Sequence, residues 1–172
     1  MEFRFVAPDL RRLDSAGAEV CVASIWSDER PARGFAGLLD WRLGGRLATL
    51  MQSGFVQGRR GEVLLVPGKP HVPFEKVVLV GLGARGAFGE DAFREAVMRI
   101  SATLEGLRVR RAVIELPGRA CDAIGAEPAI ALTLDCVATA TEHDTWWLVE
   151  TAADQKKIEA RAAEERRRTR DA

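Results

Sequence analysis

Few residue groups in this chain carry chemistry that a ligand or substrate could meet. Gly81-Leu82-Gly83-Ala84-Arg85-Gly86 has the GxGxxG spacing that, between a strand and a helix, lets backbone approach a pyrophosphate. Glu142-His143-Asp144 sets acid, base and acid in a row, and Trp146-Trp147 offers two large rings. Arg166-Arg167-Arg168-Thr169-Arg170 is a basic run, and Cys21, Cys121 and Cys136 are the thiols.

The context of the glycine motif departs from a dinucleotide site. The next helix starts near Glu90, beyond the third glycine, and Glu90 and Asp91 in its first turn would repel a phosphate. The acid expected about 20 residues further on, at the end of a strand, is absent, because Glu105 falls within the helix. A tightly turning loop is the better reading. Glu142-His143-Asp144 is no preformed triad, since sequence neighbours do not face one another. It fits a helix C-terminus, where a His is favourable. His71 lies in a Pro-rich loop, and neither His has a metal-binding spacing. Ser15, Ser24, Ser27, Ser53 and Ser101 lack a GxSxG elbow. No catalytic residue, metal ligand or cofactor is therefore expected. The cysteines are odd in number and widely spaced, which suits buried or incidental thiols in a reducing compartment. In a strand, Trp146 and Trp147 point to opposite faces, leaving one ring for the core and one for an interface, unless both pack under the last helix. The basic run belongs to a segment, 151–172, with seven basic and five acidic residues, and reads as a solvated helix end.

The 172 residues, 47% of them apolar, suit one globular domain with a core of its own. With 25 basic and 25 acidic side chains the net charge is zero, which argues against general affinity for nucleic acid or anionic membrane. The N-terminus has no apolar leader and no run is long enough to span a bilayer, so a soluble, cytoplasmic protein is expected.

The elements that must position these groups alternate. Phe3 and Phe5 suggest a short strand before Pro8-Asp9; Val20 to Trp26 is a near-continuous apolar run, the mark of an inner strand. Phe35, Leu38, Leu39, Leu43, Leu47, Leu50 and Met51 recur at helical steps, with Gly44-Gly45 inside explained by close approach of a neighbouring element and Gly54 as the cap. Strands follow at Val63–Val66 and Val77–Val80, a helix at about Glu90–Leu107, a strand at Arg111–Leu116, a helix from Glu127 to about Thr141, and a strand at Trp146–Val149. The last segment has Ile158 as its one large apolar residue and is expected to be a solvated or frayed helix. The pattern is that of a three-layer α/β fold.

Within it, Ser27-Asp28-Glu29, Leu39-Asp40, Leu43-Gly44-Gly45, Gly61-Glu62-Val63-Leu64-Leu65-Val66-Pro67 and Val77-Val78-Leu79-Val80-Gly81-Leu82-Gly83 resemble, in order and spacing, the N-terminal domain of the leucyl (cytosol) aminopeptidases. The resemblance implies a macro-domain-like, mixed but mostly parallel sheet between helices over residues 1–150, followed by a polar, helical tail over 151–172. In that family the peptidase chemistry lies in a larger C-terminal domain, where Lys, Asp and Glu hold two metal ions. No residue here matches one of those ligands, and 172 residues suit the N-terminal domain but not the active site. The expectation is a non-catalytic interaction or regulatory module whose partner is a protein, either a second copy in a homo-oligomer or a separate subunit. On this expectation any aminopeptidase label comes with the family name. The alternative is a macro-like module binding a nucleotide, ADP-ribose or another anion at the carboxyl edge of the sheet, near Asp9, Gly81 and Gly83. Macro domains carry Gly-Asp-Ile and Asn-Ala-Ala-Asn pieces; Pro8-Asp9-Leu10 half matches the first, and Ala23-Ser24-Ile25-Trp26 stands in place of the second.

Overall fold

The computed structural model of the protein describes residues 1–138 and 142–170; the expected helix end near Thr141 and the side chains of Arg166–Arg170 lie outside the described residues. Six strands, β1 (Glu2–Val6), β2 (Val20–Ile25), β3 (Val63–Pro67), β4 (Lys76–Gly81), β5 (Arg111–Ile114) and β6 (Thr145–Val149), form one sheet in the order β1-β6-β5-β2-β4-β3. All neighbours are parallel except the β3–β4 pair. The sheet is thus mixed and mostly parallel, as the family resemblance implies.

β2 shows why. All six of its residues are buried, because it lies between β5 and β4 and is covered on both faces. Val20 and Val22 pack with α4 (Glu90–Gly106), α5 (Ala126–Val137) and α6 (Ala152–Arg170) on one side of the sheet. Cys21, Ala23 and Ile25 pack with α1 (Leu10–Leu13), α2 (Gly34–Arg42) and α3 (Arg46–Gln52) on the other. Helix, sheet and helix make three layers around two apolar cores, and each strand feeds both by its two-residue alternation. Burying a side chain such as Phe35 or Phe93 contributes about 1.5–3 kcal/mol relative to exposure.

Three local readings need correction. The helix expected from Phe35 to Met51 is two helices, α2 and α3, broken at Gly44 (φ +67°) and Gly45 (φ +79°). A Cβ at either glycine would meet nothing within 4 Å. The pair therefore supplies left-handed backbone rather than room for a neighbour, and the helical phase of the leucines carries on across the break. Gly54, at φ +75°, does end α3 as a cap. The tail is not simply solvated: α6 packs on α5 and Ile158 is buried at 1% exposure. A short helix, α1, that the apolar pattern does not announce is started by Asp9, whose carboxylate accepts the Arg11 N–H. Among the described residues no helix is long and apolar enough to cross a membrane.

Gly81 and Gly83 hold the end of β4 against the 58–62 segment. The Gly83 N–H donates to the Gly58 carbonyl at 2.9 Å, and the Gly61 N–H to that of Gly81 at 3.1 Å. A Cβ on Gly81 would stand 2.1 Å from the Arg59 carbonyl oxygen, whereas one on Gly86 would meet nothing. Gly81→Ala should lower unfolding free energy by about 2 kcal/mol or more through backbone displacement, and Gly86→Ala should stay within about 0.5 kcal/mol. Urea denaturation of the two variants checks this, and equal effects would contradict the packing role.

Candidate functional site

Parallel α/β sheets leave their ligand crevices outside the carboxyl ends of the strands, and a cleft of this protein lies there. It has a volume of about 470 Å³ and takes Pro8 from the loop after β1, Gly34, Phe35 and Leu38 from α2, and Glu115, Arg119, Ala120 and Asp122 from the chain after β5. Val149, Glu150, Thr151 and Asp154 complete it from the end of β6 and the start of α6.

Two glutamates directly follow parallel strands and turn inward. Glu150 is 4% exposed and Glu115 is 3% exposed. Glu150 meets Arg119 in a two-pronged pair: Nε donates to Oε1 at 2.8 Å and one terminal nitrogen, Nη2, to Oε2 at 3.0 Å. Nη2 also donates to Asp154 Oδ2 at 3.1 Å, while Nη1 donates to Asp122 Oδ1 at 3.2 Å and to the Ile124 carbonyl at 2.7 Å. Those contacts use all five N–H groups that a guanidinium owns. Burial works against its charge, but the hydrogen bonds to Glu150 and the charges of Glu150, Asp154 and Asp122 outweigh that and hold the Arg119 pKa above its ordinary value.

Local sequence explains the placement. Gly118, at φ +77°, turns the chain after β5 where a Cβ would strike Phe88 at 2.7 Å, and so delivers Arg119 under the sheet edge. Thr151 caps α6: the Asp154 N–H donates to its hydroxyl oxygen at 3.3 Å, and the hydroxyl donates back to Asp154 Oδ2 at 3.0 Å. Lys157 and this Thr151 hydroxyl together keep the Asp154 carboxyl below the usual carboxylate range. The Thr-x-x-Asp spacing and an acid ending each of two apolar strand runs are the signals that sequence reading passed over.

Among the described residues no cation pairs with Glu115. The Ser24 N–H donates to its Oε2 at 3.0 Å, but Oε1 makes no hydrogen bond. Burial raises its pKa to about 7, against the pull of the Ser24 and Phe35 amides and with help from the charges of Glu150 and Glu29. Among the described residues the buried side-chain atoms without a partner are Glu115 Oε1, Ser24 Oγ and Trp146 Nε1. Gly34, at φ +58°, leaves the wall thin beside Glu115: a Cβ there would lie 3.8 Å from Oε1 and 2.6 Å from the Ala120 Cβ. Behind that wall a smaller hollow of about 30 Å³ reaches Ser24, Trp26 and Cys121.

The groups first marked by spacing fall elsewhere. Gly81 and Gly83 do not line the cleft, and Asp9 neighbours Pro8, which does. In the glycine loop the Arg85 N–H donates to the Asp28 carboxylate at 3.2 Å, and the Arg85 guanidinium pairs with Glu29. His143 is not at a helix end: α5 stops at Val137, and the ring is buried with Nδ1 3.1 Å from the Val109 carbonyl and Nε2 3.4 Å from Ser101 Oγ. It fills core space against Trp146, 5.4 Å away between ring centroids. Trp146 is buried, whereas Trp147 is half-buried beneath Arg4, 5.2 Å from its ring centroid. The three cysteines are free, and burial pushes the Cys21 thiol well above its ordinary pKa.

Sheet order, layering and an edge cleft define a macrodomain-like α/β protein. The Oceanobacillus iheyensis macrodomain with ADP superposes with a TM-score of 0.73 at 12% identity, covering 91% of this chain and 88% of that one. A mutant of tomato leucine aminopeptidase superposes at 0.62 with 15% identity, over 92% of this chain and 35% of that one. The sequence is more specific: residues 20–136 match the cytosol aminopeptidase family, N-terminal domain, and the chain belongs to that family. It is 38% identical over 93 residues to the probable cytosol aminopeptidase of Thermosynechococcus vestitus, a match spanning 54% of this chain and 19% of that protein. The chain matches about a fifth or less of the length of such curated relatives.

Two expected outcomes follow from the buried charges. Arg119→Met strands the Glu150 carboxylate without its cation and should cost about 3–5 kcal/mol in chemical denaturation, with much of it regained in Arg119→Met/Glu150→Leu. Glu115, whose folded-state pKa lies above its unfolded value of 4.5, takes up protons more readily when folded, so its contribution to stability is fully present below pH 4.5 and is lost as pH rises through about 7. The loss amounts to about 3 kcal/mol. Glu115→Gln should remove that component, so the difference between wild-type and variant stability should change sharply from pH 4.5 to 7.5 and level off above. A difference that stays constant with pH would show that Glu115 does not titrate in this window.

Proposed function

We propose that the chain is a non-catalytic binding module, an interaction or regulatory domain of the cytosol aminopeptidase family that works through the cleft at the carboxyl edge of its sheet. The observation carrying this reading is the cleft itself, about 470 Å³ in volume, whose Phe35 and Val149 lie beside buried, oriented polar groups. Apolar walls with a few fixed polar groups suit recognition of a ligand or of an inserted side chain. Hydrolysis of a peptide bond with two metal ions needs bridging carboxylates that hold them about 3.5–4 Å apart. Among the described residues no three His, Cys, Asp or Glu side chains are grouped to hold even one ion, so no peptidase step is derived from these residues.

A second reading, a nucleotide- or ADP-ribose-binding module, draws on the fold shared with the macrodomain described with ADP. Against it stands the cleft's charge: among the described residues Arg119 is the one cation that lines it, beside Glu115, Glu150, Asp154 and Asp122.

Purified protein should release no p-nitroaniline from Leu-p-nitroanilide with manganese or zinc added. Turnover that is lost on chelation and restored by metal would overturn the non-catalytic reading. Titration with ADP-ribose should give neither heat nor thermal stabilisation up to millimolar ligand; saturable binding would move the assignment to the second reading.

A further inference from the structure

We propose that the cleft is built for an organic ammonium ion, a primary amine on an apolar body, rather than for an anion. The inference rests on the binding-module reading and concerns the same site. The side-chain hydrogen-bond donors on the cleft wall are the Arg119 guanidinium and the Thr151 hydroxyl. Both are occupied: Arg119 spends its five N–H groups on Glu150, Asp154, Asp122 and the Ile124 carbonyl, and Thr151 donates to Asp154. An incoming phosphate or carboxylate would have to displace a carboxylate already held by geometry and burial.

Acceptors, by contrast, are in surplus. Glu115, buried at 3% exposure, is among the residues that line the cleft, and its Oε1, itself covered in the empty cleft, makes no hydrogen bond and lies beside Gly34, where no side chain thickens the wall. Asp122 gives one oxygen to Arg119, and its side chain is 86% exposed at the cleft mouth. An ammonium group carries three donors and no acceptor, so it matches an orphaned carboxyl oxygen and adds positive charge to a wall on which carboxylates outnumber the Arg119 guanidinium. Pro8, Phe35, Leu38 and Val149 supply apolar surface for the rest of the molecule. A buried, unpartnered acceptor is costly in the empty cleft, and a ligand N–H that meets it removes that cost on binding.

The test uses the full chain and defined probes at low ionic strength: n-butylammonium and phenethylammonium chloride, their anionic counterparts butyrate and 3-phenylpropionate, and ADP. Calorimetry and amide chemical-shift mapping should show saturable binding of the amines, phenethylammonium tighter, with shifts centred on Phe35, Glu115 and Glu150, and no binding of the anions. Glu115→Gln should weaken the amine by at least about tenfold, the loss of a hydrogen bond to a charged group. Because Glu115 is buried, Asp122→Asn provides a second variant at an exposed side chain; it should weaken the amine severalfold while leaving the circular dichroism and melting temperature unchanged. Anions that bind the cleft as tightly as the amines, amines that fail to bind, or amine binding untouched by both substitutions would each overturn the ammonium assignment. ADP binding alone would overturn it and leave a binding module standing, whereas metal-dependent turnover of Leu-p-nitroanilide would sink the non-catalytic reading whatever the amines do.

Discussion

A guanidinium withdrawn from water has to be surrounded by acceptors, and that requirement organises the carboxyl edge of this protein. Arg119 draws the turn after β5 onto the junction of β6 and α6, which follows it by 31 to 35 residues in the chain. An isolated buried charge would be far too costly, so Glu150 and Asp154 must converge on it. The start of α6 is thereby fixed to the sheet from two directions, by Thr151 at its cap and by Asp154 reaching inward. Such a cluster contributes little net stability compared with an apolar replacement, but it specifies one arrangement of the elements it joins.

The same cluster decides what the edge can recognise. In a parallel sheet this edge is where ligands lie, and a free arginine there would read as an anion receptor. Satisfied internally, it does the opposite and leaves the site electronegative. Glu115 stands a strand away from that cluster, among the described residues without a counter-ion, its Oε2 taking the Ser24 amide and the Phe35 amide drawing on the carboxyl as well. Two carboxylates at corresponding strand ends therefore have unlike roles: Glu150 is a structural anion and Glu115 a group with an unmade bond.

The strands were plain in the sequence because apolar runs bounded by Pro-Gly, Gly and charged residues leave little else to form; Val20–Ile25 and Val77–Val80 needed no tertiary knowledge. Helix α4 was equally open, from its acidic first turn and its apolar stripe. The break between α2 and α3 was hidden, since the leucine spacing holds its phase across Gly44-Gly45 and only the backbone sign of those residues changes. His143 was misplaced because its partners, Val109 and Ser101, come from distant segments. The cleft was missed for the same reason. Arg119 and Glu150 are 31 residues apart, and no local period records their pairing. The glycine motif drew notice by its spacing, yet Gly81 answers to the Arg59 carbonyl at its side, a steric demand that resembles a phosphate-binding pattern on paper.

β1 and β3 lie at the two margins of the sheet, and among the described residues no further strand pairs with the outer edge of either. On β1 the outward positions are Glu2 and Arg4, paired to each other at 3.0 Å, and Arg4 also covers Trp147. On β3 the last residue is Pro67, which has no N–H to offer. Charge at one margin and a missing donor at the other discourage strand-by-strand zippering of one molecule onto the next. Two copies that meet therefore have reason to do so through helices or side-chain surfaces, and the six-stranded sheet remains the limit of its own growth.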